Sequence, residues 1–218
     1  LHGAYDGHTA WPDHADEDLR AYAAEHGLII VTPDGDPFGW YLDSPIDENS
    51  QIESYLFGEL IPLIEDEYPV LPSKRAIAGL SMGGHGALSL ALRHPGDFVS
   101  ASSMSGVLDL TRHEDSPEVV DRIGPLDEFR ERYEAVSVTH LMQAAPADLG
   151  GLRIYFSCGK EDRRFIEENR DLSAMLVERN TPHVAMFSDG KHSWAYWTSQ
   201  LEDHVRFHAE ILVGDGVR

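Results

Sequence analysis

Apolar positions along the chain follow two different periods. In SQIESYLFGELIPLIEDEY (50–68), Ile52, Leu56, Leu60, Leu63 and Ile64 recur at helical spacing, which predicts an amphipathic helix. Five shorter runs are continuous and rich in apolar or small residues, and each predicts a strand. They are GLIIVTPDG (27–35), KRAIAGLS (74–81), FVSASSMSG (98–106), LRIYFSCG (152–159) and HVAMFSDG (183–190). Between them lie MGGHGALSLALRH (82–94), a helix stopped by Pro95, and FIEENRDLSAMLVERN (165–180). A last helix runs through HSWAYWTSQLEDHVRFHAEIL. This alternation predicts an α/β fold, with a mostly parallel sheet and helices on both faces. The stretch 107–150 fits no strand–helix unit, and only PEVVDRIG and LDEFRERYEAVS within it read as short helices. It is expected to stand above the carboxyl ends of the strands, where open α/β sheets bind ligands. It reads as a cap or pocket wall within one domain spanning 1–218.

Composition narrows the function classes. Of the 218 residues, 42% are hydrophobic, enough for a sizeable core. No apolar run approaches the length of a bilayer-spanning helix, so the chain reads as soluble and without a membrane partner. Cys158 is the sole cysteine, so no internal disulfide forms and no cysteine-based metal spacing exists. That fits a cytoplasmic protein, and no signal peptide is visible. The formal net charge is −21, from 38 acidic and 17 basic residues. Such a field repels phosphate backbones and disfavours nucleic acid and strongly anionic substrates. The acids are spread throughout, which suits either a generally acidic protein or one adapted to high salt.

Gly79-Leu80-Ser81-Met82-Gly83 is a G-x-S-x-G with a predicted strand before it and a predicted helix after it. A serine on so sharp a turn leaves no room for side chains two positions either way. Gly84 and Gly86 would then let the helix pack close to the sheet. The helix N-terminus offers unpaired N–H groups to a developing oxyanion. A tight glycine turn with an incidental serine is the alternative, and the strand–turn–helix context argues against it.

A serine hydroxyl needs a base, and the base needs an orienting carboxylate, in the chain order Ser…Asp…His for such a turn. YFSCGKEDRRF presents Glu161 and Asp162 beyond one strand, and MFSDGKHSWAYW presents His192 beyond the next. Either carboxylate suits the chemistry. Asp189 also competes, although its DG pair reads as a tight turn. Of the other eleven histidines, His26, His204 and His208 lie on polar helices and read as solvated, as does His113 in the run His113-Glu114-Asp115. Adjacent residues point in different directions, so that run makes a poor metal site. Trp40 and Tyr41 suit either a pocket wall or the core, and the frequent burial of Trp favours the core for Trp40.

Blocks covering nearly the whole chain resemble the esterase D branch of the α/β-hydrolases, closest to its tributyrin-type carboxylesterases. They are LHGAYDGHTAW (1–11), WYLDSPIDENSQIESYLFGELIPLIE (40–65), AIAGLSMGGHGALSLALRHPGDFVSASSMSG (76–106), CGKEDRRFIEENR (158–170) and DGKHSWAYW (189–197). The resemblance implies an α/β-hydrolase fold and a serine esterase that needs no cofactor or metal. It implies Ser81 as nucleophile, Asp162 as acid from the CGxxD block and His192 as base from the GxHxW block. It implies oxyanion donors at the backbone N–H groups of Met82 and Ala4, with His2 and Gly3 shaping the latter's loop. The implied substrates are small short-chain or aryl esters. Transfer to an alcohol or sugar, or hydrolysis of an S-formylglutathione-like thioester, are the alternatives. The loop AYDGHTAW lacks the cysteine that S-formylglutathione hydrolases carry there, which weighs against the thioester. Family domains begin with further strands before the HG loop, so the natural protein is expected to be longer. A homo-oligomer is compatible with this reading.

Overall fold

The structure is a computed structural model and describes residues 1–214. Four parallel strands form one sheet in the order β1 (Ala76–Leu80), β2 (Ser100–Met104), β3 (Arg153–Gly159), β4 (Val184–Ser188). Their register pairs Leu80 with Met104, Met104 with Ser157, and Gly159 with Ser188. The carboxyl ends therefore open on one side, so Ser81, Asp162 and His192 emerge along a single edge.

Two apolar clusters sandwich the sheet. On one face, Leu88 and Leu90 of α4 (Met82–Arg93) and Leu172 and Leu176 of α8 (Ile166–Glu178) bury against Ala101 and Phe156. On the other face, Trp11 and Ala15 of α1 (Ala10–His26) pack with Tyr196, Trp197 and Leu201 of α9 (Trp194–Val213). Helices on both faces of a parallel sheet make the α/β layering that the strand–helix alternation implied. The segment read as one helix over 50–68 comprises α2 (Ile52–Tyr55), a π-helical stretch Leu56–Leu60 and α3 (Ile61–Glu67). Pro62, which has no N–H to donate, stands just past the π-helical stretch.

Three expectations need correction. The stretch 27–35 was expected to be a buried strand ending in a turn, yet it joins no ladder among the described residues. Ile29, Ile30 and Val31 are 47%, 38% and 39% exposed. They face Ala76, Ile77 and Ala78 of β1 across an apolar groove of about 620 Å³ instead of pairing with that strand. Second, α1 is a helix the sequence reading lacked. Its apolar stripe at Trp11, Ala15, Leu19 and Tyr22 is diluted by acidic neighbours, and Gly27 closes it in the left-handed region (φ 64°). Third, His204 and His208 are buried, not solvated. His208 bonds Ser100 and Ser102 of β2 at 2.8 and 2.7 Å. His204 bonds Ser102 and, on β3, Ser157 at 2.8 and 2.9 Å. The helix that looked polar thus turns two imidazoles onto a ladder of serine hydroxyls.

The excursion after β2 holds α5 (Pro117–Ile123), α6 (Leu126–Glu134) and α7 (Val138–Ala144). Val119, Ile123, Tyr133, Val138 and Met142 bury into the same cluster as Leu88. The Ser89 hydroxyl donates to Val136 O at 2.8 Å, tying the excursion to α4. No described helix is long and apolar enough to cross a membrane.

Candidate active site

The turn between β1 and α4 holds Ser81 at φ 51°, ψ −119°, outside the regions that L-residues favour. Its N–H donates to Met104 O at 2.9 Å, and its carbonyl accepts from His85 N at 3.0 Å. The flanking glycines are sterically required. A Cβ on Gly79 would stand 2.1 Å from Gly83 O, and one on Gly83 would stand 2.5 Å from His2 O. Gly84 allows the helix to approach β2, since a Cβ there would meet Ser103 Oγ at 2.5 Å. Gly86 serves a different neighbour from the one expected: its missing side chain makes room for the Tyr41 ring, not for the sheet.

Ser81 Oγ lies 3.0 Å from His192 Nε2, and His192 Nδ1 lies 2.7 Å from Asp162 Oδ2. A carboxylate accepts only, so Nδ1 carries the proton and Nε2 is left bare to accept from the serine hydroxyl. Phe165 and Trp197 flank the imidazole edge-on, each with ring centroids 4.9 Å away. Asp162 is 1% exposed. Its other oxygen accepts from Arg164 N at 3.1 Å and Phe165 N at 3.3 Å. Burial alone pushes its pKa up. The hydrogen bond and charge of His192, with the two backbone N–H groups, outweigh that and hold it below the usual carboxylate range. The buried Cys158 thiol, 3.8 Å from Asp162 Oδ2, is pushed up to about 12 by burial and by that carboxylate, so it stays protonated.

Of the rival groups, Glu161 is exposed, and Asp189 is exposed and pairs with Lys160 at 3.3 Å. Neither approaches His192. His113 meets Glu168 at 2.6 Å. Among the described residues no His, Cys, Asp or Glu cluster is arranged to hold a metal ion. Trp40 and Tyr41 are buried in the core, both in the left-handed region (φ 52° and 54°).

Two backbone donors expected at the site have no hydrogen-bond partner among the described residues. Met82 N–H is the first of its helix and has no intrahelical partner. Ala4 N–H also finds no acceptor among the described residues. The loop carrying Ala4 is held from behind by His2. His2 Nδ1 donates to Gly3 O at 2.8 Å, and Nε2 accepts from Gly35 N at 2.8 Å. Burial lowers the His2 pKa, which keeps Nε2 free to accept. The Tyr41 hydroxyl donates to His2 O at 3.0 Å.

Sequence reasoning missed Glu168. This carboxylate is 6% exposed and accepts from the backbone N–H of Leu108 and Asp109 at 3.0 and 3.1 Å. The segment it holds contacts the nucleophile turn, where Val107 N donates to Ser81 O at 3.4 Å. A signal was present: positions 165, 168, 169, 172 and 176 share one helical face, and three of them are apolar.

Residues 1–208 match the protein family described as "Putative esterase". The chain is 30% identical over 215 residues to the S-formylglutathione hydrolase of Bos taurus, spanning 87% of this chain and 74% of that one. Among solved structures, the S-formylglutathione hydrolase from Agrobacterium tumefaciens is similar at TM-score 0.81 and 26% identity, covering 97% and 82% of the two chains. A ferulic acid esterase is similar at TM-score 0.82 and 26% identity, covering 97% and 83%. The chain belongs to this esterase family of the α/β-hydrolases and is a serine hydrolase.

Proposed function

We propose that Ser81 is the nucleophile, His192 its base and Asp162 the orienting acid of a carboxylesterase acting on short-chain or aryl esters. One observation carries the reading: a bare imidazole nitrogen 3.0 Å from Ser81 Oγ, on a ring whose other nitrogen meets a buried carboxylate at 2.7 Å. Ser81 Oγ attacks the ester carbonyl while His192 Nε2 takes its proton. Asp162, already ionised, stabilises the imidazolium that forms. The N–H groups of Met82 and Ala4 receive the oxyanion, whose stabilisation is commonly worth ~3–4 kcal/mol per donor. His192 returns the proton to the leaving alcohol, and the acyl group stays on Ser81. Water, deprotonated by the same imidazole, then releases the acid. Every step uses side chains and backbone of this chain. Residues 1–218 would act as one domain, with 107–150 as the wall of the acyl pocket.

A thioester of the S-formylglutathione kind is the second reading, because the bovine relative bears that name. Against it stand the absence of a cysteine in residues 4–11 and the −21 net charge of the chain, which disfavours an anionic thioester. The experiment is a panel of p-nitrophenyl, hydroxycinnamate and S-formylglutathione substrates, repeated with added alcohol. The proposal expects the largest kcat/KM on a short or aryl oxygen ester, with free acid as product. A thioester preference of tenfold or more, or an alcohol ester as main product, would replace it.

A further inference from the structure

Tyr5 directly follows the candidate oxyanion residue Ala4, and its conformation is unusual. It is 76% exposed and sits in the left-handed region at φ 69°, which bulky residues avoid. An unconstrained surface tyrosine would relax out of such a state. Three contacts hold this one. Its N–H donates to Pro37 O at 3.0 Å. Its ring meets Phe38 edge-on, with centroids 4.7 Å apart. Its hydroxyl donates to Glu118 Oε1 at 3.0 Å.

The last contact joins two elements that share no other described hydrogen bond: the oxyanion loop and α5 of the excursion. The Ser116 hydroxyl donates to the other Glu118 oxygen at 2.9 Å and fixes the carboxylate. Tyr5 stands close to the nucleophile. A Cβ on Gly3 would lie 3.4 Å from Ser81 Cβ, and two further residues span at most ~7 Å. Tyr5 and Glu118 therefore form a polar strap from the oxyanion loop to α5, beginning one residue after Ala4.

We propose that this strap makes Tyr5 and Glu118 specificity-determining residues that restrict the site to slender acyl groups. The proposal rests on the reading of Ser81 as nucleophile. Esters with small or linear acyl chains pass beneath the strap, and branched or bulky ones collide with the Tyr5 ring. The bond between Tyr5 and Glu118 sets the width, so removing either partner should have the same effect.

The test compares rates of Ser81 labelling by an ethyl and by a bulky branched fluorophosphonate in wild type, Tyr5→Phe, Glu118→Ala, Glu118→Gln and the Tyr5→Phe/Glu118→Ala double variant. Tyr5→Phe and Glu118→Ala should each raise the bulky-to-ethyl rate ratio about five-fold, the scale of one exposed hydrogen bond. The double variant should rise no further, because both changes break one interaction. Glu118→Gln keeps an acceptor oxygen and should stay near the wild-type ratio. A ratio unchanged in Tyr5→Phe and Glu118→Ala, or an equal fall with both probes, overturns the strap and leaves the nucleophile reading standing. No labelling of wild-type Ser81 by either probe overturns both.

Discussion

Glu168 on α8 holds the backbone N–H groups of Leu108 and Asp109 with one carboxylate oxygen and His113 with the other. A buried acid is thereby spent on fixing the segment that leads from β2 into the excursion, beside the Ser81 turn. Glu168→Ala leaves two buried N–H groups without acceptors and should cost about 2–4 kcal/mol in urea unfolding. Glu168→Gln keeps one acceptor oxygen and should cost less than half as much. Equal costs would mean that a neutral acceptor oxygen cannot replace the carboxylate and that its charge carries the contact.

Asp162→Asn tests the tautomer argument. An amide can present its N–H to His192 Nδ1, which moves the imidazole proton to Nε2 and removes the base from Ser81. Activity at neutral pH should fall by about 10⁴ in kcat with little change in melting temperature. A fall below tenfold would show that the carboxylate does not orient His192.

His204 and His208 make the fold acid-sensitive. Burial depresses both pKa values, that of His208 to about 3. The unfolded chain then binds protons that the folded chain refuses, between about pH 6.5 and 3. Stability is complete above that window and declines as pH falls through it, by at most about 1.4 kcal/mol per pH unit for each histidine. His208→Gln should show a shallower loss of melting temperature from pH 6.5 to 4.5 than wild type. Parallel slopes would contradict the burial of an uncharged ring.

The charge of −21 predicts a salt response. Raising NaCl from 0.1 to 1 M shortens the screening length from ~10 to ~3 Å and weakens repulsion among the acids. The melting temperature should rise by about 3 °C or more, roughly what 1 kcal/mol produces in a chain of this size. An unchanged melting temperature would remove the salt-adapted reading.

How legible these features were depended on how local their causes are. The Ser81 turn could be read directly, because a strand-to-helix corner that sharp demands glycine at 79 and 83 within a few residues of the serine. Asp162 could not be separated from Glu161 by chemistry alone. The resemblance to a family made that choice, and the structure puts Asp162, not Glu161, against His192. His204 and His208 were misread because their partners, serines on β2 and β3, lie 47 to 108 residues away. No helical hydropathy pattern carries that information. The stretch 27–35 was misread for the opposite reason: an apolar run signals burial, but a ladder also needs a neighbouring strand in register. Glu168 sat on a largely apolar helical face beside Asn169, and nothing local marked the loop it would hold.

The central claim is that His192 activates Ser81, and mass spectrometry of fluorophosphonate-treated protein tests it most directly. Wild type should gain one phosphonate per chain, mapped to the peptide containing Ser81. Ser81→Ala should gain none, and His192→Ala should react about 10³-fold more slowly. A modification mapped elsewhere, or labelling of His192→Ala at the wild-type rate, would contradict the account.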